Sequence, residues 1–159
     1  MTTTVAATEG IGEQLGKLAY PGMVVLLSGD LGAGKTAFVR GVARGLGVKG
    51  PVTSPSFTLA EEHQGQMPLY HLDVYRLNSP SELLDIGYEE YVYGNGITLI
   101  EWGDLVRELL PAEHLEVRIM GTGALRELTF IPFGADYTDL VEELTKNVAA
   151  SPGNINTNA

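Results

Sequence analysis

"SGDLGAGKTAFVRG", residues 28–41, crowds Gly29, Gly32 and Gly34 against Lys35 and Thr36. Before it stands "MVVLL", residues 23–27, a continuous apolar run of strand length. Such a run predicts a strand buried on both faces, as in a parallel sheet. After it, Phe38, Val39, Val42, Ala43 and Leu46 fall on one helical stripe, and Gly45 and Gly47 supply a stop. The unit is therefore strand, glycine loop, helix. Glycines let the backbone turn so that several N–H groups point inward at an anion, where side chains would block the approach. The new helix adds the partial positive charge of its N-terminus. Gly29, Gly34, Lys35 and Thr36 satisfy G-x-x-x-x-G-K-[ST], the phosphate-binding P-loop. Backbone amides of Asp30, Leu31, Gly32, Ala33, Gly34, Lys35, Thr36 and Ala37 are the expected cradle. Lys35 is placed to reach the β- and γ-phosphates, and the Thr36 hydroxyl to ligate Mg²⁺.

Phosphoryl chemistry on such a loop needs a further acid near the metal, usually at the end of a buried strand. Glu101 ends "ITLIE", residues 97–101, and Asp73 sits in "LYHLDVY", residues 69–75. Either acid can hold the metal through water while the other orients the attacking water. The guanine-reading signatures of GTPases are missing: D-x-x-G is absent, and Thr145-Lys146-Asn147-Val148 lacks the aspartate of N/T-K-x-D. ATP is the expected nucleotide.

Outward from the loop, the chain reads as one α/β domain. Its 159 residues can bury a core of their own. We expect residues 1–150 to form a single nucleotide-binding domain and "SPGNINTNA", residues 151–159, to be a disordered tail. Residues 8–19 read as a first helix, weakened by Gly10, Gly12 and Gly16. "FTLAEEH" and "MPLYHLDVY" read as a hairpin around Gln64-Gly65-Gln66, and Ser79-Pro80-Ser81 opens a short helix. Residues 104–110 read as a helix closed by Pro111. "HLEVRIM" and "LRELTFI" form a second hairpin across Gly121–Gly123. A last helix starts near Asp136 and buries Tyr137, Leu140, Val141 and Leu144. The expected fold class is α/β, a three-layer P-loop NTPase-like fold with a mostly parallel central sheet and antiparallel hairpin additions.

Composition narrows the function. There is no cysteine, so disulfides and thiolate chemistry are excluded. No apolar run is long enough to span a membrane and no signal peptide is legible, so a cytoplasmic location is expected. A net charge of −10 argues against broad, direct nucleic-acid binding. Residues 29–58 nonetheless carry Lys35, Arg40, Arg44 and Lys49 against Asp30, a local +3 that leaves −13 on the remainder. That contrast suits a small anion such as a phosphate. A solvated helix face explains Arg40, Arg44 and Lys49 equally well.

Four stretches in order, "GDLGAGKT" (29–36), "TSPSFTL" (53–59), "HLDVYRL" (71–77) and "LIEWGD" (99–104), resemble the bacterial TsaE family. Thr8, Gly12 and Leu15 before Pro21-Gly22 also fit that family's opening helix. The resemblance covers roughly residues 8–145, and H-x-D-x-Y-R followed by I-E-W is its most specific part. It implies the ATPase component of tRNA threonylcarbamoyladenosine biosynthesis, with ATP and Mg²⁺ as cofactors. The enzyme would be weak alone and stimulated by TsaD- and TsaB-type subunits, through which most tRNA contacts would be made. By motif, Lys35 and Thr36 become the phosphate and Mg²⁺ contacts and Glu101 the metal-associated acid. Asp73 becomes the residue that activates or positions water. Ser54, Pro55 and Ser56 match a switch-like loop in which many members carry threonine at the position of Ser56; the hydroxyl is kept and the β-branch lost. Gly16 is a second departure, in a helix usually better formed.

Other residues divide between roles. Trp102, directly after Glu101, reads either as a nucleotide- or partner-facing indole or as a half-buried anchor. His71 reads as a hydrogen-bonded core histidine sooner than as a general base. Arg76 reads as a phosphate sensor or as a structural ion pair. Two rival functions remain in view. A small-molecule P-loop kinase would need an arginine-bearing lid, yet after Arg76 the arginines are scattered as Arg107, Arg118 and Arg126. A nucleotide-dependent switch would bind ATP without steady turnover.

Overall fold

The computed structural model describes residues 2–29, 34–50, 60–73, 88–101, 108–122 and 125–150. In chain order its elements are β1 (Thr2–Thr4), α1 (Val5–Leu18), β2 (Val24–Gly29), α2 (Lys35–Gly45), β3 (Ala60–Gln64) and β4 (Pro68–Asp73). There follow α3 (Tyr88–Val92), β5 (Ile97–Glu101), β6 (His114–Thr122), β7 (Leu125–Phe133) and α4 (Ala135–Ala150). Seven strands form one sheet in the order β1-β7-β6-β2-β5-β4-β3. The central four, β6, β2, β5 and β4, are all parallel. The flanking pairs β3–β4, β6–β7 and β1–β7 are antiparallel. The expected α/β architecture with hairpin additions is what the chain adopts.

The apolar run becomes the middle of the sheet because both its faces are covered. Val25 and Leu27 join Phe38, Val39 and Val42 of α2, Ile11 and Leu15 of α1, and Leu140 and Leu144 of α4 in the larger core. Val24 and Leu26 point the other way, into a smaller cluster with Leu72, Ile100, Tyr88 and Val92. Alternation of side chains along each strand produces this division. Tyr137 of α4 ties its helix to the central strand: its hydroxyl oxygen accepts the Val24 N–H at 3.0 Å.

The glycines of α1 have a different meaning from the one the sequence suggests. A Cβ on Gly12 would lie 2.3 Å from the Phe38 carbonyl oxygen, and one on Gly16 2.3 Å from that of Val42. In return, Cβ atoms on Gly41 and Gly45 of α2 would lie 1.9 Å from the Glu9 oxygen and 2.2 Å from the Glu13 oxygen. Four glycines, two per helix at a spacing of one turn, bring the two backbones into direct contact. They weaken α1 as an isolated helix and make its packing on α2 possible. Arg44 reinforces the pair, bonding Glu9 and standing 3.9 Å from Glu13. It is thus a helix-pairing cation, and its positive charge is directed at α1.

Some predicted elements are confirmed with shifted ends. α2 stops at Gly45, and Gly47 takes the left-handed conformation (φ 77°) while its N–H bonds the Arg44 carbonyl at 3.0 Å. The second hairpin is longer than expected, nine residues in each strand. Val141 of α4 is only half-buried. The helix expected after Ser79, most of the one expected over 104–110, and the tail at 151–159 lie outside the described residues. No helix among the described residues is long and apolar enough to cross a membrane.

Candidate active site

The C-terminal ends of β2, β4 and β5 converge on the start of α2. β2 runs on to Gly29, which has φ 131° and lies opposite Ile119 of β6. A Cβ there would fall 1.8 Å from the Ile119 carbonyl oxygen, so glycine is demanded by conformation and by space together. The chain re-emerges at Gly34, the N-cap of α2, with φ 99° and no side chain capping the helix. The first turn of α2 thus has no side-chain acceptor at its cap. Lys35 is 4 % exposed, and its Nζ donates to the Gly29 carbonyl at 3.3 Å. A lysine so buried carries its charge where an anion would feel it most. Thr36 follows at the second helical position, half-buried, with Ala37 buried behind it.

The two acids stand side by side. Asp73 closes β4 and pairs in register with Glu101, which closes β5. Parallel neighbours run about 4.8 Å apart and register partners share a face. Leu69, two turns of the pleat before Asp73, and Leu99, one before Glu101, both pack in the core that contains Phe38 of α2. Asp73 and Glu101 therefore lie on the α2 face of the sheet, and Glu101 also lies opposite Leu27 of β2. Glu101 is 4 % exposed and His71 is fully buried; their side chains meet at 2.6 Å, Nε2 to Oε2. His71 is the hydrogen-bonded core histidine the sequence suggested, with Glu101 as its partner. Among the described residues no group of three or more His, Asp or Glu could hold a metal unaided. Thr36, Asp73 and Glu101 offer oxygen donors of the kind Mg²⁺ takes, completed by nucleotide phosphates. The residues fit that ion.

The structure adds a residue the sequence reading passed over. Arg126 of β7 pairs with Gly121 of β6, beyond Ile119, the partner of Gly29. The β6–β7 ribbon thus outruns β2 and comes beside Gly34. The Arg126 side chain lies over Gly34: a Cβ on Gly34 would be 3.7 Å from its Nε. A Cβ on Gly121 would be 3.3 Å from its Nη1, which donates to the Leu125 carbonyl at 2.8 Å. In sequence Arg126 is one of several dispersed arginines. Only the pairing of β6 with β2 brings it to the loop, and its nearest legible hint is the glycine across the hairpin. Asp30, Leu31, Gly32, Ala33, Ser56, Arg76 and Trp102 lie outside the described residues.

A parallel sheet whose central strand delivers a glycine loop and a lysine to a helix N-terminus, beside acids ending two neighbouring strands, defines a P-loop NTPase-like protein. The family profile described as threonylcarbamoyl adenosine biosynthesis protein TsaE matches residues 2–128. The chain belongs to the TsaE family. It is 45 % identical over 148 residues to the tRNA threonylcarbamoyladenosine biosynthesis protein TsaE of Bacillus subtilis, covering 92 % of each chain. It is 47 % identical over 120 residues to the protein of that name from Treponema pallidum, covering 74 % of this chain and 88 % of the relative. The crystal structure of Bacillus subtilis YdiB superposes with a TM-score of 0.78 at 40 % identity, over 92 % of this chain and 93 % of the other.

Proposed function

We propose that this chain binds ATP with Mg²⁺ and hydrolyses it in support of tRNA threonylcarbamoyladenosine formation, acting through a TsaD/TsaB-type complex. The observation that carries this reading is the buried Lys35 at the start of α2, with Glu101 and Asp73 in register on the same face of the sheet. Family membership supplies the tRNA-modification context.

The assigned roles follow from chemistry and placement. Backbone N–H groups from the loop and the first turn of α2 bind the phosphates. Lys35 offsets the charge that gathers on the transferring group. Thr36 and Glu101 hold Mg²⁺, and Asp73 positions or activates the attacking water. When bound, the ion supplies further charge neutralisation at the phosphate oxygens. Arg126 contacts the nucleotide from the β6–β7 side of the loop, opposite the acids. Replacing Arg126 with alanine is expected to weaken ATP binding about tenfold, the scale of one charge-assisted hydrogen bond. Calorimetry would register it, and unchanged affinity would remove Arg126 from the site.

Acidic composition fits a division of labour in which the partners hold most of the tRNA. The decisive experiment measures ATP hydrolysis by the chain alone and with the TsaD/TsaB-type complex plus tRNA, for wild type, Lys35→Ala and Glu101→Ala. Stimulation by the complex that both substitutions abolish is the expected result. A rate indifferent to the partner, or to both substitutions, would overturn the proposal.

A further inference from the structure

We propose that His71 is a positioning residue that fixes the Glu101 carboxylate for Mg²⁺, an inference that rests on the role given to Glu101 above. His71 sits one strand away from Glu101 and two residues further back, opposite Leu99. Its imidazole reaches forward along the sheet, and Nε2 meets Oε2 at 2.6 Å with side-chain exposures of 0 % and 5 %. Nδ1 is buried and has no hydrogen-bond partner among the described residues.

A carboxylate that is to bind Mg²⁺ is ionised, and that fixes the direction of the bond. An ionised carboxylate only accepts, so the proton lies on Nε2 and the ring donates. Oε2 is thereby committed to the interior of the sheet. The other oxygen is then the one left for the metal. A carboxylate free to rotate would present either oxygen, or both, to a metal; one held at the back presents a single defined donor. Carboxylates that bind metals are generally oriented by such a partner, and losing it lowers metal affinity about 10–100-fold.

Packing does not account for the residue. His71 is flanked on its face by Leu69 and Leu99 within the main core. A leucine would suit that apolar surround; what it could not supply is the hydrogen bond to the buried Glu101 carboxylate. A polar group kept there against the local pattern marks function.

The test compares wild type, His71→Leu, His71→Gln and Glu101→Gln. Each is titrated with Mg²⁺ in the presence of a non-hydrolysable ATP analogue, with binding followed calorimetrically. His71→Leu is expected to raise the half-saturating Mg²⁺ concentration about 10–100-fold. Binding of the analogue without Mg²⁺ should hold at wild-type levels, while the melting temperature should fall, because the buried Glu101 carboxylate loses its partner. Glutamine, whose terminal amide donates at a similar reach, should recover most of the lost Mg²⁺ affinity. In the unliganded wild type, ¹⁵N NMR of the imidazole should show the proton on Nε2. If Glu101→Gln shifts the Mg²⁺ requirement and His71→Leu does not, the positioning role is refuted while the site reading stands. If neither shifts it, the site reading itself fails and the inference with it. A neutral ring with its single proton on Nδ1 would refute the inference even if the leucine variant did not fold.

Discussion

If the proposed function holds, Lys35→Met is expected to lower the partner-stimulated rate of ATP hydrolysis about 100–1,000-fold, the usual consequence of deleting one preorganised charge aimed at a reacting group. Methionine preserves the apolar stem and its packing in the loop, and removes only the cation. The effect is large because Lys35 is 4 % exposed, so water screens its charge poorly. Its ammonium donates to the Gly29 carbonyl, the backbone group at the far end of the same loop. The lysine thus has a hydrogen bond to the residue that ends β2, and in the proposed function its charge serves the phosphate. Folding should be little affected, because removing a buried charge also removes its desolvation cost. A single-turnover assay on Lys35→Met that retained a rate close to wild type would show that the lysine is only a structural tie.

The second large effect concerns the helix pair. In Gly41→Ala the new methyl would stand 1.9 Å from the Glu9 carbonyl oxygen, so α1 and α2 must separate. Overpacking against backbone costs about 3 kcal/mol or more. Alanine's higher helix propensity returns about 1 kcal/mol. The net loss of about 2 kcal/mol predicts a melting temperature lower by roughly 4–8 °C. Because α2 begins at Lys35, moving it would also displace the proposed phosphate site, and on that reading ATP affinity should fall with stability. Gly10→Ala is the control: its Cβ meets nothing within 4 Å, and the substitution should stabilise α1 by about 0.5–1 kcal/mol. Thermal unfolding of the two variants separates the cases by sign. A shift in the same direction for both would refute direct backbone packing as the reason for these glycines.

The contrast between Gly10 and Gly41 also shows where sequence reading reaches its limit. Gly10, Gly12 and Gly16 look alike as interruptions of a helix, since propensity is a property of one segment. Their difference belongs to a pair of helices: Gly12 and Gly16 face α2, and Gly10 does not. The same distinction separates Lys35 from Arg126. Lys35 and Thr36 were legible because the strand, loop and helix that define them are contiguous. Glu101 and Asp73 were legible because each ends a run whose apolar pattern already marks a buried strand. That they stand in register follows only from the order β2-β5-β4. Arg126 reaches Gly34 through two strand pairings that no local pattern announces. The edge strand β1 and the five-residue α3 were not anticipated for the same reason. Thr2–Thr4 becomes a strand by pairing with Leu125–Glu127, and Tyr88–Val92 is held by the small core on the far side of the sheet.

Arg44 teaches a related lesson about charge. A local excess of positive charge around the loop was consistent with phosphate binding or with a solvated face. The structure assigns Arg44 to Glu9 and Glu13, so the charge joins two helices. The cation turned into the site is the buried one, Lys35, with Arg126 supplied from a distant strand.

The central claim is that the loop ending at Gly34 and the first turn of α2 bind a triphosphate whose metal is shared with Glu101. Isothermal titration of ATP into the folded protein, with and without Mg²⁺, tests it most directly. The account predicts saturable binding at one site per chain, strengthened by Mg²⁺ in the wild type and much less so in Glu101→Gln. No heat of binding from correctly folded protein, or a Mg²⁺ dependence unchanged in Glu101→Gln, would contradict it.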